Sequence, residues 1–292
     1  MSRLRAAGVL AGFMALTLPL MPVQALLLRV STSAARRFPH WYHRTVCRIL
    51  GVRIHIEGAV TPGTPTLLVS NHTSWLDIPV LSAVAPVSFI AKSEVGRWPF
   101  VSALARLQRT VFVDRTKRVS IGDTAAEMTR RLAEGDALVL FAEGTSTDGN
   151  RVLPFKSSLF AAAKPTGPSA SGKESPVVVQ TVSIVYARLH GIPLGRADRP
   201  LVGWYGDMEM QSHAWGLLQA GPLDVIVRIG PPMSLADFAN RKELADRTEM
   251  AVRESVVRTL RARSPNEPIV LAKLVSLRSP SPPTNFPSDN WR

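Results

Sequence analysis

An α/β fold is predicted, with a mixed, largely parallel sheet flanked by helices and preceded by an N-terminal membrane-associated helical segment. Three observations carry this. Short apolar runs of strand composition alternate with helical stretches. Small, polar and charged residues follow directly on those runs, where loops leave the carboxyl ends of parallel strands. An uncharged run stands ahead of them all, from Ala6 to Leu28.

That first run has Arg3 and Arg5 before it and Arg29, Arg36, Arg37, Arg44 and Arg48 after it. About twenty apolar residues suffice to cross a bilayer core. The heavier basic flank lies after the run, which puts the rest of the chain on the cytoplasmic face of the inner (plasma) membrane. A cleaved signal peptide is the competing reading, since Val23-Gln24-Ala25 resembles a cleavage site. Against it, the apolar run continues through Leu26, Leu27 and Leu28. Pro19 and Pro22 make a tilted or half-inserted helix the alternative to a straight span. Residues 1–48 are therefore expected to form an anchor and basic amphipathic segment.

In the stretch 49–263, strands are expected at Val52–Gly58 and Thr66–Ser70, then a helix from Leu76 to Val84. Val87–Ala91 reads as strand, Arg97–Leu107 as helix and Thr110–Asp114 as strand. The next helix puts Ile121, Ala125, Met128 and Leu132 on one face, with Ser120 and Asp123 as a capping box. Strands follow at Ala137–Ala142, Val177–Tyr186 and Leu223–Ile229, and Ser234 and Asp237 open a last helix. The Gly/Pro/Ser-rich stretch 164–176 is a loop within the domain, and the Pro/Ser-rich tail 264–292 is expected to be largely disordered.

Composition narrows the partners. A formal charge of +13 calls for something anionic: nucleic acid, an anionic membrane surface or an acidic substrate. The single cysteine, Cys47, excludes a disulfide framework and any CxxC metal site. Tyrosine is scarce and the basic residues cluster beside the apolar run, which argues against nucleic acid.

The chemistry concentrates in "NHTSWLD", residues 71–77. Ser74 and Asp77 fit a helix capping box. Residues five apart on a helix point about 140° away from each other, so His72 can meet Asp77 only from the turn before the helix. "FAEGTSTDG" (141–149) ends a second strand with Glu143, Gly144 and Thr145, an exposed turn suited to a hydroxyl or phosphate. It is not G-x-S-x-G, so a serine nucleophile is poorly supported. "VFVDR" ends a third strand with Arg115, whose planar fork could grip a phosphate. Two motifs are decoys. Gly167–Lys173 matches a phosphate loop, but Glu174 replaces the required Ser/Thr and a strand follows. His40 and His43 could share a helical face, yet no third metal ligand lies near them in sequence, and packing at a membrane surface with Trp41 and Tyr42 is the better reading.

Taken in order, "NHTSWLD", "RTVFVDR", "FAEGTS" and "VVVQTV" resemble the four blocks of the glycerolipid acyltransferase family, over residues 45 to 235. Within that family the blocks look like those of the bacterial 1-acyl-sn-glycerol-3-phosphate acyltransferases. The later stretch "WYGDMEMQSHAWGLLQAGPLDVIV" resembles a bacterial subgroup that includes enzymes making ornithine lipids. The resemblance implies an acyltransferase domain over 49–263, with His72 as general base and Asp77 orienting and charging it. It further implies that Arg115 binds an acceptor phosphate while Glu143, Gly144 and Thr145 line the acceptor site. The donor would be acyl-CoA or acyl carrier protein, with membrane lipids as partners and neither cofactor nor metal. Expected chemistry is acyl transfer to 1-acyl-sn-glycerol-3-phosphate. Lyso-ornithine lipid O-acylation and a non-catalytic lipid-binding protein on the same fold are the alternatives. Four departures bear on this: Arg109 for glycine, Ala142 for proline, Ser146 for arginine and Thr181 for proline. Losing a cation at Ser146 weakens the case for a phosphate-bearing acceptor, unless Arg109 restores it.

Overall fold

A computed structural model describes residues 2–113, 118–162, 177–234 and 237–261. The chain opens with a helical pair, α1 (Ser2–Val30) and α2 (Thr32–Leu50). Ser31 separates them in extended conformation, and its hydroxyl accepts the Ala34 N–H at 3.3 Å, capping α2. Gly51, at φ 76°, ends α2 in the left-handed conformation that glycine adopts at little cost.

Nine strands follow among the described residues: β1 (Val52–Glu57), β2 (Thr66–Ser70), β3 (Val87–Lys92), β4 (Val111–Val113), β5 (Ala137–Phe141), β6 (Val178–Leu189), β7 (Ile192–Pro193), β8 (Leu223–Ile229) and β9 (Met233–Ser234). Interleaved are helices α3 (Asp77–Val84), α4 (Val101–Leu107), α5 (Arg118–Ala133), α6 (Met210–Ala220) and α7 (Arg241–Arg261). The sheet runs β1-β8-β6-β2-β5-β3-β4, with β7 and β9 attached to β6. Along that path only β6–β8 is antiparallel. The predicted mixed, largely parallel sheet is what forms.

Side chains alternate across the strands, so β2 feeds two cores. Leu68 joins Val182, Ile184 and Tyr186 of β6 against Val46, Leu50, Leu76 and Val80 of α2, α3 and the turn between β2 and α3. Leu67 and Val69 face the other way, with Leu138 and Leu140 of β5 against Met128, Leu132, Leu244 and Val252 of α5 and α7. All five residues of β2 are buried, as a central strand covered on both faces requires. Each such aliphatic side chain contributes about 1.5–3 kcal/mol. The result is a rigid platform whose β2 and β5 end side by side, Ser70 opposite Phe141.

Polar contacts fasten α1 to this platform. Arg5 donates to the carbonyls of Leu218 and Leu50, Thr17 pairs with the Tyr42 hydroxyl at 2.7 Å, and Gln24 donates to the carbonyls of Ala35 and Leu107. Its leucines at 4, 10, 18, 26 and 28 stay exposed. The helix is long and apolar enough to cross a membrane, and both prolines sit within it.

Two expectations are corrected and one element is added. Arg97–Leu107 is not one helix: Ser93–Arg97 is a 3-10 turn and α4 starts only at Val101, because Pro99 offers no N–H to a preceding turn. The last helix opens at Arg241 rather than near Ser234. Asn240 caps it, accepting the N–H groups of Lys242 and Glu243, while Asp237 closes a local turn onto the Ser234 N–H. Helix α6 was not anticipated; it lies against α1 and buries only Leu217, so its apolar pattern is weak. The side chains of Ser120 and Asp123, the Gly167–Lys173 motif and the tail lie outside the described residues.

Candidate active site

His72 sits in the turn between β2 and α3, as the five-residue spacing to Asp77 requires. Its Nδ1 lies 2.7 Å from Asp77 Oδ2. The same oxygen accepts the N–H groups of Thr73 at 2.7 Å and Ser74 at 3.1 Å, and Oδ1 accepts the Tyr186 hydroxyl at 2.7 Å. Asp77 is wholly buried. A buried carboxylate surrounded by donors is an acceptor only, so Nδ1 carries the proton and Nε2 presents its lone pair. Among the described residues Nε2 makes no hydrogen bond, and the His72 side chain is 19% exposed. Half of the predicted capping box is present: Asp77 reaches back to the N–H groups, but the Ser74 hydroxyl is buried without a partner and does not cap α3.

The β5 loop grips the backbone on either side of the ring. Glu143 Oε1 accepts the His72 N–H at 2.8 Å, and the Thr147 N–H donates to the His72 carbonyl at 3.0 Å. Glu143 Oε2 takes the Leu153 N–H at 2.7 Å. Both oxygens of this buried carboxylate are thus committed to backbone, which makes it a brace behind the site. Burial lifts its pKa to about 7, opposed by those two N–H bonds and aided by the Asp77 charge. Gly144, buried at φ 72°, turns the chain, and Thr145 lies exposed beyond it. The imidazole stacks on Phe141 with ring centroids 4.0 Å apart, a contact that fixes its plane.

The structure therefore brings together His72, Asp77 and Glu143, with Gly144 and Thr145 in the same turn; Arg115 lies outside the described residues. Sequence reasoning missed Tyr186 and Asn71. Tyr186 shares the β6 face of Val182 and Ile184, and a tyrosine in such an apolar row needs a polar partner for its hydroxyl. Asn71 clamps the turn to β6 through the Ile184 N–H and carbonyl.

The departures from the family blocks find local reasons. Arg109 adopts φ 61°, the backbone that suits glycine, and its guanidinium bonds Asp136 at 3.1 Å beside Arg36 and Arg131. Its charge is spent there. The Ser146 hydroxyl donates to the Trp204 carbonyl, and the Trp204 N–H donates to the Thr73 carbonyl at 2.9 Å. A serine at 146 thus latches the later loop onto the histidine turn. His40 and His43 bond the carbonyl and hydroxyl of Ser82, packing α2 on α3, and burial drops the His43 pKa to about 4. Trp75 donates to His213 Nδ1 at 3.1 Å, joining the histidine turn to α6.

A family model described as Acyltransferase matches residues 51–185. The lyso-ornithine lipid O-acyltransferase of Brucella abortus (strain 2308) is 51% identical over 84% of this chain and 91% of its own. The 1-acyl-sn-glycerol-3-phosphate acyltransferase of Neisseria meningitidis serogroup B is 30% identical over 73% of this chain and 78% of its own. The crystal structure of the 1-acyl-sn-glycerophosphate acyltransferase of Thermotoga maritima superposes with a TM-score of 0.63 over 90% of this chain and 100% of that one, at 22% identity. This last likeness concerns the fold.

Proposed function

We propose that this chain, which belongs to the acyltransferase family and transfers acyl groups to lysolipids, takes a lyso-ornithine lipid as its acceptor. The observation that carries the choice is the 51% identity to a protein of that name, against 30% to a 1-acyl-sn-glycerol-3-phosphate acyltransferase. It favours the alternative over the phosphate-bearing acceptor expected first. The geometry supports the same choice: Ser146, which stands for a cation, is tied to the Trp204 carbonyl, and Arg109 is tied to Asp136.

His72 acts as the general base. Nε2 takes the proton of the acceptor hydroxyl as its oxygen attacks the thioester carbonyl; a C–O bond forms, the C–S bond breaks, and the imidazolium returns the proton to the departing thiolate. Such general-base help is worth about 10²- to 10⁴-fold. Asp77, holding Nδ1–H, fixes the tautomer and stabilises the imidazolium. The thioester is already activated, so neither an acyl-enzyme nor a cofactor or metal is needed. The donor is acyl-CoA or acyl carrier protein. Gly144 and Thr145 line the acceptor site, and Glu143 shapes it through the His72 backbone; with an acceptor that carries no phosphate, Arg115 loses the role first expected of it.

The chain associates with the membrane through α1, and the basic residues after the apolar run support a catalytic domain on the cytoplasmic face of the inner membrane. Arginines near an anionic leaflet add about 1 kcal/mol each. The test is acyl transfer by the purified protein, offering lyso-ornithine lipid and lysophosphatidic acid in parallel with one donor. Product from the ornithine acceptor supports the reading; product from lysophosphatidic acid alone would restore the expectation drawn first.

A further inference from the structure

One segment between α1 and the histidine turn holds a backbone it should not adopt cheaply. Phe100 sits at φ 64°, ψ −54°, and the Val101 N–H closes onto the Pro99 carbonyl at 2.7 Å. This is a γ-turn of the rare, strained hand, in a bulky residue for which positive φ is a genuine outlier. Strain of this kind persists where neighbours hold it in place. On one side the Phe100 ring meets Phe13 of α1 edge-on, centroids 6.5 Å apart. On the other, Trp98 meets Trp204 edge-on at 5.8 Å.

Trp204 is in turn bound to the site from two directions. Its backbone N–H reaches the carbonyl of Thr73, next to His72, and its carbonyl receives the Ser146 hydroxyl from the β5 loop, while its indole N–H donates to the Met208 carbonyl. Two edge-on aromatic pairs, Phe13–Phe100 and Trp98–Trp204, joined by the backbone through Pro99, thus form a row from the apolar helix to the residue bonded to the His72 turn. Trp98 and Trp204 are only partly buried, so the row is open along one side. The far end of the row is α1, the helix long and apolar enough to cross a membrane, and a lysolipid resides in the bilayer. The CoA or carrier-protein part of the donor stays in water.

We propose that Trp98 and Trp204 form the apolar rim along which the acceptor's acyl chain passes from the bilayer to His72, and that they set the enzyme's preference for acceptor chain length. The inference rests on a lysolipid being the acceptor, whatever its headgroup. Each methylene laid on such a surface adds to the binding, so the effect should grow with chain length.

The test uses the full chain reconstituted in vesicles, with long- and short-chain lysolipids of one headgroup and then a chain-length series of donors. Trp98→Ala should raise KM for the long-chain acceptor about tenfold, equivalent to about 1.4 kcal/mol, and the short-chain KM less than about twofold. The donor series should keep its wild-type profile. Trp98→Tyr, which retains a ring and guards against a folding defect, should recover most of the loss. Equal rises for short and long acceptors would reduce the pair to a structural role and overturn the proposal. A changed donor profile would overturn it by giving the track to the donor. With wild type active on a lysolipid, either result leaves the acyltransferase reading intact; a wild type inactive on every lysolipid would overturn both.

Discussion

Two clusters of charge lie close to the sheet, and they are built differently. At the histidine turn one buried carboxylate, Asp77, collects four donors, and one of these, the imidazole, keeps its other nitrogen uncommitted. Near the start of β5, Asp136 collects Arg36, Arg109 and Arg131, and those arginines are further engaged with Glu134, the Ser88 hydroxyl and the Arg109 carbonyl. In both, the acid is buried and its oxygens are taken up by donors. Only in the first is one of those donors an imidazole whose second nitrogen makes no hydrogen bond among the described residues. The difference teaches that buried charge alone does not mark a site; a group held rigidly at one end and free at the other does.

Substitutions can break this contrast. The largest effect is expected from His72→Ala, which should cut kcat by about 10³-fold while the thermal midpoint stays close to wild type, since the ring is partly exposed. A variant with kcat within about tenfold of wild type would remove His72 as the base. Asp136→Asn should do the reverse. Leaving three arginines short of a counter-charge costs about 3–5 kcal/mol of stability, read by denaturant unfolding, whereas kcat of the folded protein holds. A selective loss of kcat would move that cluster into the machinery.

Glu143 sharpens the contrast through pH. Its pKa is raised from 4.5 to about 7, so the folded state binds the extra proton and stability falls as pH rises through that window. The drop amounts to about 3 kcal/mol. Unfolding measured across the window should slope downward, and Glu143→Gln, which cannot ionise, should remove that slope. A slope unchanged in the variant would assign it to another group. The smallest effect belongs to Arg109→Gly. Releasing an arginine from φ 61° gains about 1–2 kcal/mol, while losing the Asp136 bond costs about 1.5–3 kcal/mol, for a net loss of at most about 1 kcal/mol. A gain of the full amount, about 1–2 kcal/mol, would mean that the guanidinium contributes nothing.

Much of this was legible from local sequence. Alternating runs placed His72 and Glu143 at strand ends, and helix geometry alone dictated that His72 must stand in the turn to reach Asp77. What stayed illegible depends on distant partners. Tyr186 reaches Asp77 across 109 positions, and no local pattern announces which hydroxyl completes a carboxylate's shell. Arg109 read as a cation that could serve the acceptor, because its direction is set by Asp136, 27 positions further on. The break at Pro99 was readable in principle, but the apolar composition of "RWPFVSALARL" overrode it. Trp204 was visible only as part of a subgroup-like stretch; its bonds to Thr73 and Ser146 arise from the fold.

The most direct test of the account is a kinetic cycle on lyso-ornithine lipid, measuring kcat for His72→Ala, Asp77→Asn and the double variant on folded protein. If Asp77 acts by holding His72, the double variant should be no slower than His72→Ala alone, as groups acting as a unit are non-additive. Losses that multiply would contradict the account, giving Asp77 a part in the chemistry that does not run through the imidazole.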